Sequence, residues 1–150
     1  MSRILYIGAP PMSYEEKGQW VYLAATTIAY GAYVALIAGR AGTMPLTQVD
    51  YQPLLLWTIG AAVVASIIGR IAIEIVRPSE SQREDVRDRD IGRRGEYVAG
   101  MVLGVGMVGP FIFALIEADH FWIANAMYLV FVVQAIVGAV IKLHAYRRGF

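Results

Sequence analysis

The sequence has no cysteine, and only two of its 150 residues are histidine. The absence of cysteine excludes disulfides, thiolate nucleophiles and cysteine-ligated metals. Charged residues make up 17% of the chain, against about 25% in soluble proteins. The net charge of +1 provides no overall field that would attract a nucleic acid. The sequence therefore predicts no nucleic-acid partner, no metal site and no cofactor.

Charge is missing above all from four stretches of the chain. Residues 18–39, 51–69, 97–116 and 121–141 contain no Asp, Glu, Lys or Arg, and each stretch is 19 to 22 residues long. About 20 helical residues cross a bilayer core that is about 30 Å thick. Because backbone groups in lipid must be hydrogen-bonded within their own segment, each stretch is predicted to be a helix. The predicted fold class is an all-α membrane protein, a bundle of four transmembrane helices, and a soluble enzyme domain is excluded.

The chain is predicted to form a single membrane domain, residues 17–142, between a segment 1–16 and a tail 143–150. The spans are predicted at 20–39, 54–76, 97–116 and 121–141, with a charged loop at 77–96. Two prolines precede Met12. Residues 1–11 are therefore interpreted either as a disordered extension or as an over-extended start, with Met12 as the true first residue.

The basic residues predict the orientation of the spans. Eleven of the thirteen fall on one side, namely Arg3, Lys17, Arg77, Arg83, Arg87, Arg89, Arg93, Arg94, Lys142, Arg147 and Arg148. The other side has Arg40, and Arg70 lies within the second span. The positive-inside rule then places both termini and the 77–96 loop in the cytoplasm. The predicted location is the cell membrane, as a multi-pass protein of a bacterial inner membrane.

The two predicted hairpins share local patterns. Residues 17–21 and 94–98 both consist of a basic residue, Gly, Gln or Glu, an aromatic residue and Val, and similar stretches end at Gly69 and Gly138. One interpretation is a parallel duplication of a two-helix hairpin. The alternative is chance similarity between two apolar sequences.

Small residues recur at every fourth position in the spans, which allows helix backbones to approach closely in lipid. The candidate helix-packing positions are Gly31, Gly69, Gly100, Gly104 and Gly138. They are interpreted either as packing inside the bundle or as a surface for a second copy or a partner helix. Pro110 is expected to kink the third span.

Arg70 and Glu74 are a candidate intramembrane polar pair, because their spacing of four places them on one helix face. They are either a structural pair at the membrane interface or part of a site that faces a cavity or partner. Asn125 and Gln134 lie within the fourth span, where interhelical hydrogen bonds would explain both. Glu117, Asp119 and His120 lie in the short turn before that span. They are interpreted as a solvated turn that provides the N-cap of the helix, and the alternative, a metal site, is disfavoured because only one histidine and no cysteine are present there.

The segment 77–96 is dense in both arginine and acidic residues. Its candidate partner-docking residues are Arg87, Asp88, Arg89, Asp90, Arg93 and Arg94. The alternative is a salt-bridged connector without a partner. Ser79 or Ser81 could cap a helix that leads to the third span, and Gly92 and Gly95 are expected to loosen the junction.

Several short pieces carry a resemblance to known proteins, at residues 15–18, 88–90, 95–97, 117–125 and 145–150. With them, nearly everything after Met12 resembles a group of small bacterial four-span integral membrane proteins that have no assigned activity. The resemblance implies the four-span topology and provides no catalytic residues.

No catalytic signature accompanies these features, so the chain is predicted not to be an enzyme. The leading hypothesis is an accessory or partner-binding membrane subunit, and the alternative is a subunit of a small oligomeric transporter or channel. The expected partners are the lipid bilayer and either a second copy or another membrane or cytoplasmic protein.

Overall fold

A computed structural model describes residues 12–42, 44–76 and 86–148, and its regular structure in these ranges is entirely helical. The elements are α1 (Tyr14–Ala41), a 3₁₀ helix (Leu46–Gln48), α2 (Gln52–Val76), α3 (Val86–Gly106), α4 (Val108–Leu115) and α5 (His120–Arg148). The predictions about residues 1–11 and about caps at Ser79 and Ser81 lie outside the described residues.

Four helices are long and apolar enough to cross a membrane: α1, α2, the combined α3 and α4, and α5. None of the residues of α2 is buried, and Trp57 and Ile75 on this helix are 77% and 74% exposed. An apolar helix whose surface is uncovered by protein is typical of a membrane span. The prediction of an all-α chain with four helices of membrane-spanning length is therefore confirmed, and the chain is a multi-pass membrane protein.

The helices extend beyond the predicted spans at one end. α1 begins at Tyr14, where the Ser13 side chain accepts a hydrogen bond from the Glu16 backbone N at 3.1 Å. Residues 86–96 of the predicted charged loop form the first turns of α3, in agreement with the helix expected to lead to the third span. Residues 143–148 of the predicted tail are also helical. The four charge-free stretches mark only the part of each helix that can lie in the lipid core, and these helices continue beyond it into polar sequence.

Pro110 interrupts the third span, as predicted. α3 ends at Gly106 and α4 begins at Val108. Proline has no N–H to donate to the carbonyl of Gly106 one turn earlier, so the helix breaks there. The Met107 N–H still donates to Leu103 O at 2.9 Å, which keeps the two pieces in one span.

The helices pack in the order α2, α1, α5, α3. α1 packs against both α2 and α5, and α5 packs against α3 and α4. Between the described residues of α2 and α3 there is no comparable interface. The bundle is therefore open on the side between α2 and α3.

Side-chain contacts distinguish the two ends of the bundle. At the termini end, where α1 begins and α5 finishes, Arg147 Nε lies 3.6 Å from Glu16 Oε1. At the hairpin end, which carries the connections 42–51 and 116–119, the rings of Tyr51 and Phe121 lie 5.2 Å apart. Asp119 Oδ1 accepts a hydrogen bond from Phe121 N at 2.8 Å, which confirms the predicted cap of α5.

The main hydrophobic core lies in the hairpin half of the molecule. Its buried members are Tyr33, Ile37, Val49, Tyr51, Phe121, Tyr128 and Val132. Tyr30 and Tyr33 stack on each other within α1, and both make edge contacts with the Tyr128 ring of α5. The termini half lacks such an aromatic core in the part of the chain described, and its helices enclose a cleft instead.

Candidate functional site

A polar chamber of about 230 Å³ lies between α2 and α3 in the termini half, with α1 and α5 as its floor. All four membrane-length helices contribute to its wall. The polar side chains of the wall are Gln19, Ser66, Arg70, Glu96, Gln134 and Lys142. The chamber exists because α2 and α3 do not close on each other at this level.

Arg70 enters the chamber from α2 and pairs with α1. Its Nη2 lies 3.1 Å from Oε1 and 3.3 Å from Oε2 of Glu15. The guanidinium carbon also lies 6.0 Å from the centre of the Tyr14 ring. Among the described residues, no hydrogen bond or ion pair joins Arg70 to Glu74, and the ion pair of Arg70 is with Glu15 instead. The close packing of α1 on α2 brings Glu15 to the arginine, and Glu74 remains exposed.

Lys142 enters the chamber from α5 and pairs with α3. Its Nζ lies 3.5 Å from Glu96 Oε1, and its side chain is 16% exposed. The aliphatic stem of Lys142 lies directly over Gly95, where a Cβ would collide with it. Gly95 was expected to loosen a junction. Here the helix runs through it without a break, and its missing side chain lets the lysine cross α3.

Two side-chain amides in the chamber wall have no hydrogen-bond partner in the described chain. The side chains of Gln19 and Gln134 make no hydrogen bond within the described residues. No fully buried side-chain N or O atom in those residues lacks a partner, so neither amide is fully buried. Both amide groups are therefore accessible from the chamber. The expected interhelical hydrogen bond of Gln134 is not found among the described residues, whereas Asn125 accepts one from Tyr33.

A charged vestibule of about 570 Å³ adjoins the chamber at the termini end. The two cavities share Gln19, Arg70, Glu96 and Lys142. The vestibule adds Glu15, Asp88, Arg89 and Arg93 from α1 and α3. The chamber therefore communicates with the polar surroundings at the termini end.

An apolar groove of about 560 Å³ adjoins the chamber on the opposite side, towards the hairpin half. Groove and chamber share Tyr22, Ser66, Arg70 and Ala135. The groove runs between α2 and α5, and its wall includes Ile59, Val63, Ile67, Phe131 and Val132. Together the three cavities run from charged to polar to apolar along the bundle.

The six candidate docking residues lie on different faces of α3. Arg87 Nη2 donates a hydrogen bond to Tyr146 O at 3.3 Å, so this arginine contacts α5. Asp88 and Arg89 line the vestibule. Asp90 and Arg94 line a shallow groove on the outer face of α3, and Arg93 borders both cavities. Because successive side chains of a helix point in different directions, these six residues lie on different faces although they are close in sequence.

The five candidate packing glycines also divide. A Cβ at Gly69 would collide with Val21, and one at Gly138 would lie 3.0 Å from the Cβ of Ala99. These two glycines lie at the α1–α2 and α3–α5 contacts. Gly31, Gly100 and Gly104 have no described atom within 4 Å of the Cβ position.

Sequence reasoning did not select four of the residues that form the site, namely Glu15, Gln19, Glu96 and Lys142. For two of them a signal is present in the sequence. Gln19 and Glu96 occupy the same position in the repeated patterns 17–21 and 94–98, and both line the chamber. The salt bridges of Glu15 and Lys142 depend on which helices are neighbours, which no pattern in the chain specifies.

Comparisons of the chain with protein-family models, curated proteins and solved structures found no match. Within the residues that the structure describes, no group of three His, Cys, Asp or Glu side chains could hold a metal ion.

Proposed function

We propose that this chain is a non-enzymatic accessory subunit of a bacterial inner membrane, which binds a second protein through the outer face of α3. The observation that carries the proposal is the helical extension of α3 at the termini end. Residues 86–96 continue the span by about 16 Å of polar helix. A short connector between spans would not need such a structure.

The extension is held rigidly against α5. Arg87, Ile91, Gly95 and Ala99 follow one another at intervals of four, on one face of α3. Ile91 on this face is only 1% exposed, and Arg87 bonds to the carbonyl of Tyr146. The outer face is then displayed in a fixed geometry, which lowers the ordering cost of binding.

The outer face carries charges of both signs. Asp90, Arg93, Arg94 and Glu96 line its groove and are exposed, and their charges sum to zero. Complementary charge supports fast and selective association. The partner that fits is a protein that places acidic groups opposite Arg93 and Arg94 at the membrane surface.

The absence of cysteine allows a site-specific test of docking. Asp90→Cys is coupled to a photocrosslinker in cells, and Ala118→Cys at the hairpin end is the control. We expect one adduct at position 90, which disappears when Arg93→Gln and Arg94→Gln are added and persists with Arg148→Gln. An adduct that survives the double substitution, or equal adducts at both positions, would contradict docking by this face. An adduct with twice the protomer mass would identify a second copy as the partner.

We further propose that both termini lie in the cytoplasm. Support comes from the charge distribution, since Lys17, Lys142, Arg147 and Arg148 lie at the termini end and Arg40 at the hairpin end. A membrane-impermeant maleimide should label Ala118→Cys in intact cells and Arg148→Cys only after permeabilisation. The reverse labelling pattern would overturn the orientation.

The second candidate function is a subunit of an oligomeric transporter or channel, and the similar sequence patterns of the two hairpins favour it. Gly69 packs on α1 in the first hairpin, and Gly138 packs on α3 in the second. Gln19 and Glu96, equivalent in the repeat, both line the chamber. Substrate sites of repeat-built transporters lie at such an interface between repeats.

The closed hairpin half limits this second candidate. The rings of Tyr33 and Tyr128 pack 5.2 Å apart, and Tyr128 Oη lies 3.4 Å from Thr58 Oγ1. A pathway through one protomer would have to open this contact. Proton flux into liposomes loaded with a pH-sensitive dye tests the idea. Flux that exceeds that of empty liposomes and falls in Arg70→Ala with Lys142→Ala supports a pathway, and unchanged flux in this variant counts against it.

A further inference from the structure

We infer that the chamber and the apolar groove together bind one phospholipid, with its phosphate near Arg70 and Lys142 and an acyl chain along α2. The inference concerns a ligand site and is independent of any protein partner. It starts from the continuity of the two cavities, which share Tyr22, Ser66, Arg70 and Ala135. A single amphipathic molecule can therefore occupy both.

The chamber has the chemistry of a phosphate site. Arg70 and Lys142 provide two positive charges in its wall. Both are paired with acidic residues, Arg70 with Glu15 and Lys142 with Glu96, so these four charges balance. Arg70 uses only Nη2 for its pair, and its other N–H groups and the amides of Gln19 and Gln134 have no partner within the described residues. A phosphate can accept hydrogen bonds from these unused donors, because arginine and lysine both bind phosphate oxygens by charge-assisted hydrogen bonds.

The groove has the dimensions of one acyl chain. From Arg70 to Ile59, both of which line it, α2 rises about 16 Å. The chains of one leaflet span half of a bilayer core of about 30 Å. The groove volume of about 560 Å³ also lies in the range of about 300–1,000 Å³ that small-molecule sites occupy.

The position of the cleft favours a lipid over a soluble anion. Among the described residues the cleft opens sideways between α2 and α3, and the sides of a bundle of membrane-spanning helices face lipid. Arg70 lies near the end of α2 at the termini end, and Ile59 lies towards the middle of the bundle. A lipid that enters sideways therefore keeps the orientation it has in that leaflet, with its head at the interface.

The test uses native mass spectrometry of the delipidated full chain in mild detergent. The probes are phosphatidylglycerol, diacylglycerol with the same acyl chains, and glycerol phosphate. We expect phosphatidylglycerol to bind about tenfold more tightly than diacylglycerol, which lacks the phosphate, since one charge-assisted contact is worth about a factor of ten. Equal affinity for the two lipids overturns the inference. Glycerol phosphate that binds as tightly as the lipid also overturns it, because the site would then take a soluble anion.

Variants test the part of the site that binds the phosphate (the head site) separately from the groove that holds the acyl chain (the chain site). Arg70→Gln with Lys142→Gln should weaken phosphatidylglycerol at least tenfold and leave diacylglycerol unchanged, whereas Arg148→Gln changes neither. Lys142→Gln alone serves if the double variant fails to fold. A double or single variant that folds and binds as wild type contradicts the head site.

A matched pair of neighbours tests the groove. Ile67 and Ile68 are 53% and 59% exposed on α2, and only Ile67 lines the groove. Ile67→Trp should fill the groove and weaken phosphatidylglycerol several-fold, whereas Ile68→Trp should leave the affinity unchanged. Equal effects of the two substitutions would show that the groove does not hold the acyl chain and would overturn the inference.

Discussion

Tyr33 of α1 donates a hydrogen bond through its hydroxyl to Oδ1 of Asn125 on α5, over a distance of 2.5 Å. The amide of Asn125 in turn donates to the Phe121 carbonyl at 2.8 Å, so the side chain is held in a single orientation. Tyr33 is only 2% exposed. This polar contact joins the two hairpins where the aromatic core is densest.

Removing this hydrogen bond should cost a modest amount of stability. In membranes, interhelical hydrogen bonds contribute about 0.6 kcal/mol on average and up to about 1.7 kcal/mol. We expect Tyr33→Phe to lower stability by about 1 kcal/mol, measured by unfolding in mixed micelles. Tyr30→Phe is the matched control, because the Tyr30 ring packs in the same cluster and its hydroxyl has no hydrogen bond in the described chain. Equal losses in the two variants would show that the bond contributes nothing.

Glycines that face a neighbouring helix should respond to alanine differently from those that do not. Gly69→Ala places a methyl group against Val21 and should cost about 1–3 kcal/mol. Gly104→Ala meets no described atom within 4 Å and should gain up to about 1 kcal/mol from helix propensity. Thermal unfolding in detergent measures both. A loss at Gly104 that depends on protein concentration would instead reveal an interface between copies.

The salt bridge between Arg70 and Glu15 should have a small effect that depends on salt. Their side chains are 51% and 31% exposed, so screening by solvent limits the interaction to about 0.2–1 kcal/mol. Glu15→Gln should therefore lower the melting temperature slightly at low salt and not at high salt. Glu74→Gln should have no effect at either salt concentration. A larger loss in Glu74→Gln than in Glu15→Gln would reverse the assignment of the pair.

Glu117 is a strained position at the end of α4. Its φ of 54° is left-handed, a conformation that costs a non-glycine residue about 1–2 kcal/mol. The Ala118 N–H donates to Phe113 O at 2.9 Å, and the Glu117 N–H donates to Ala114 O at 3.2 Å, as in a Schellman motif. Glu117→Gly should therefore raise the melting temperature, whereas Ala118→Gly should not. A lower melting temperature for Glu117→Gly would contradict strain at this residue.

Particular residues show how far the sequence could predict the site. The position of Asp119 at the start of α5 and the helix break before Pro110 follow from local chemistry, and both predictions are confirmed. The partner of Arg70 could not be predicted in the same way. Glu74 is close in sequence, but Glu15 is brought closer by the packing of α1 on α2.

The amino-acid sequence alone determined that lipid surrounds most of this protein and how many times the chain crosses the bilayer, because charged residues are excluded from the hydrocarbon core wherever the chain crosses it. Only the tertiary structure decided that α2 and α3 stay apart and that the resulting cleft is lined from charged to apolar. Hydropathy is a property of each segment by itself. The choice of neighbours depends on the shapes of side chains that meet from distant parts of the chain, such as Gly95 and Lys142.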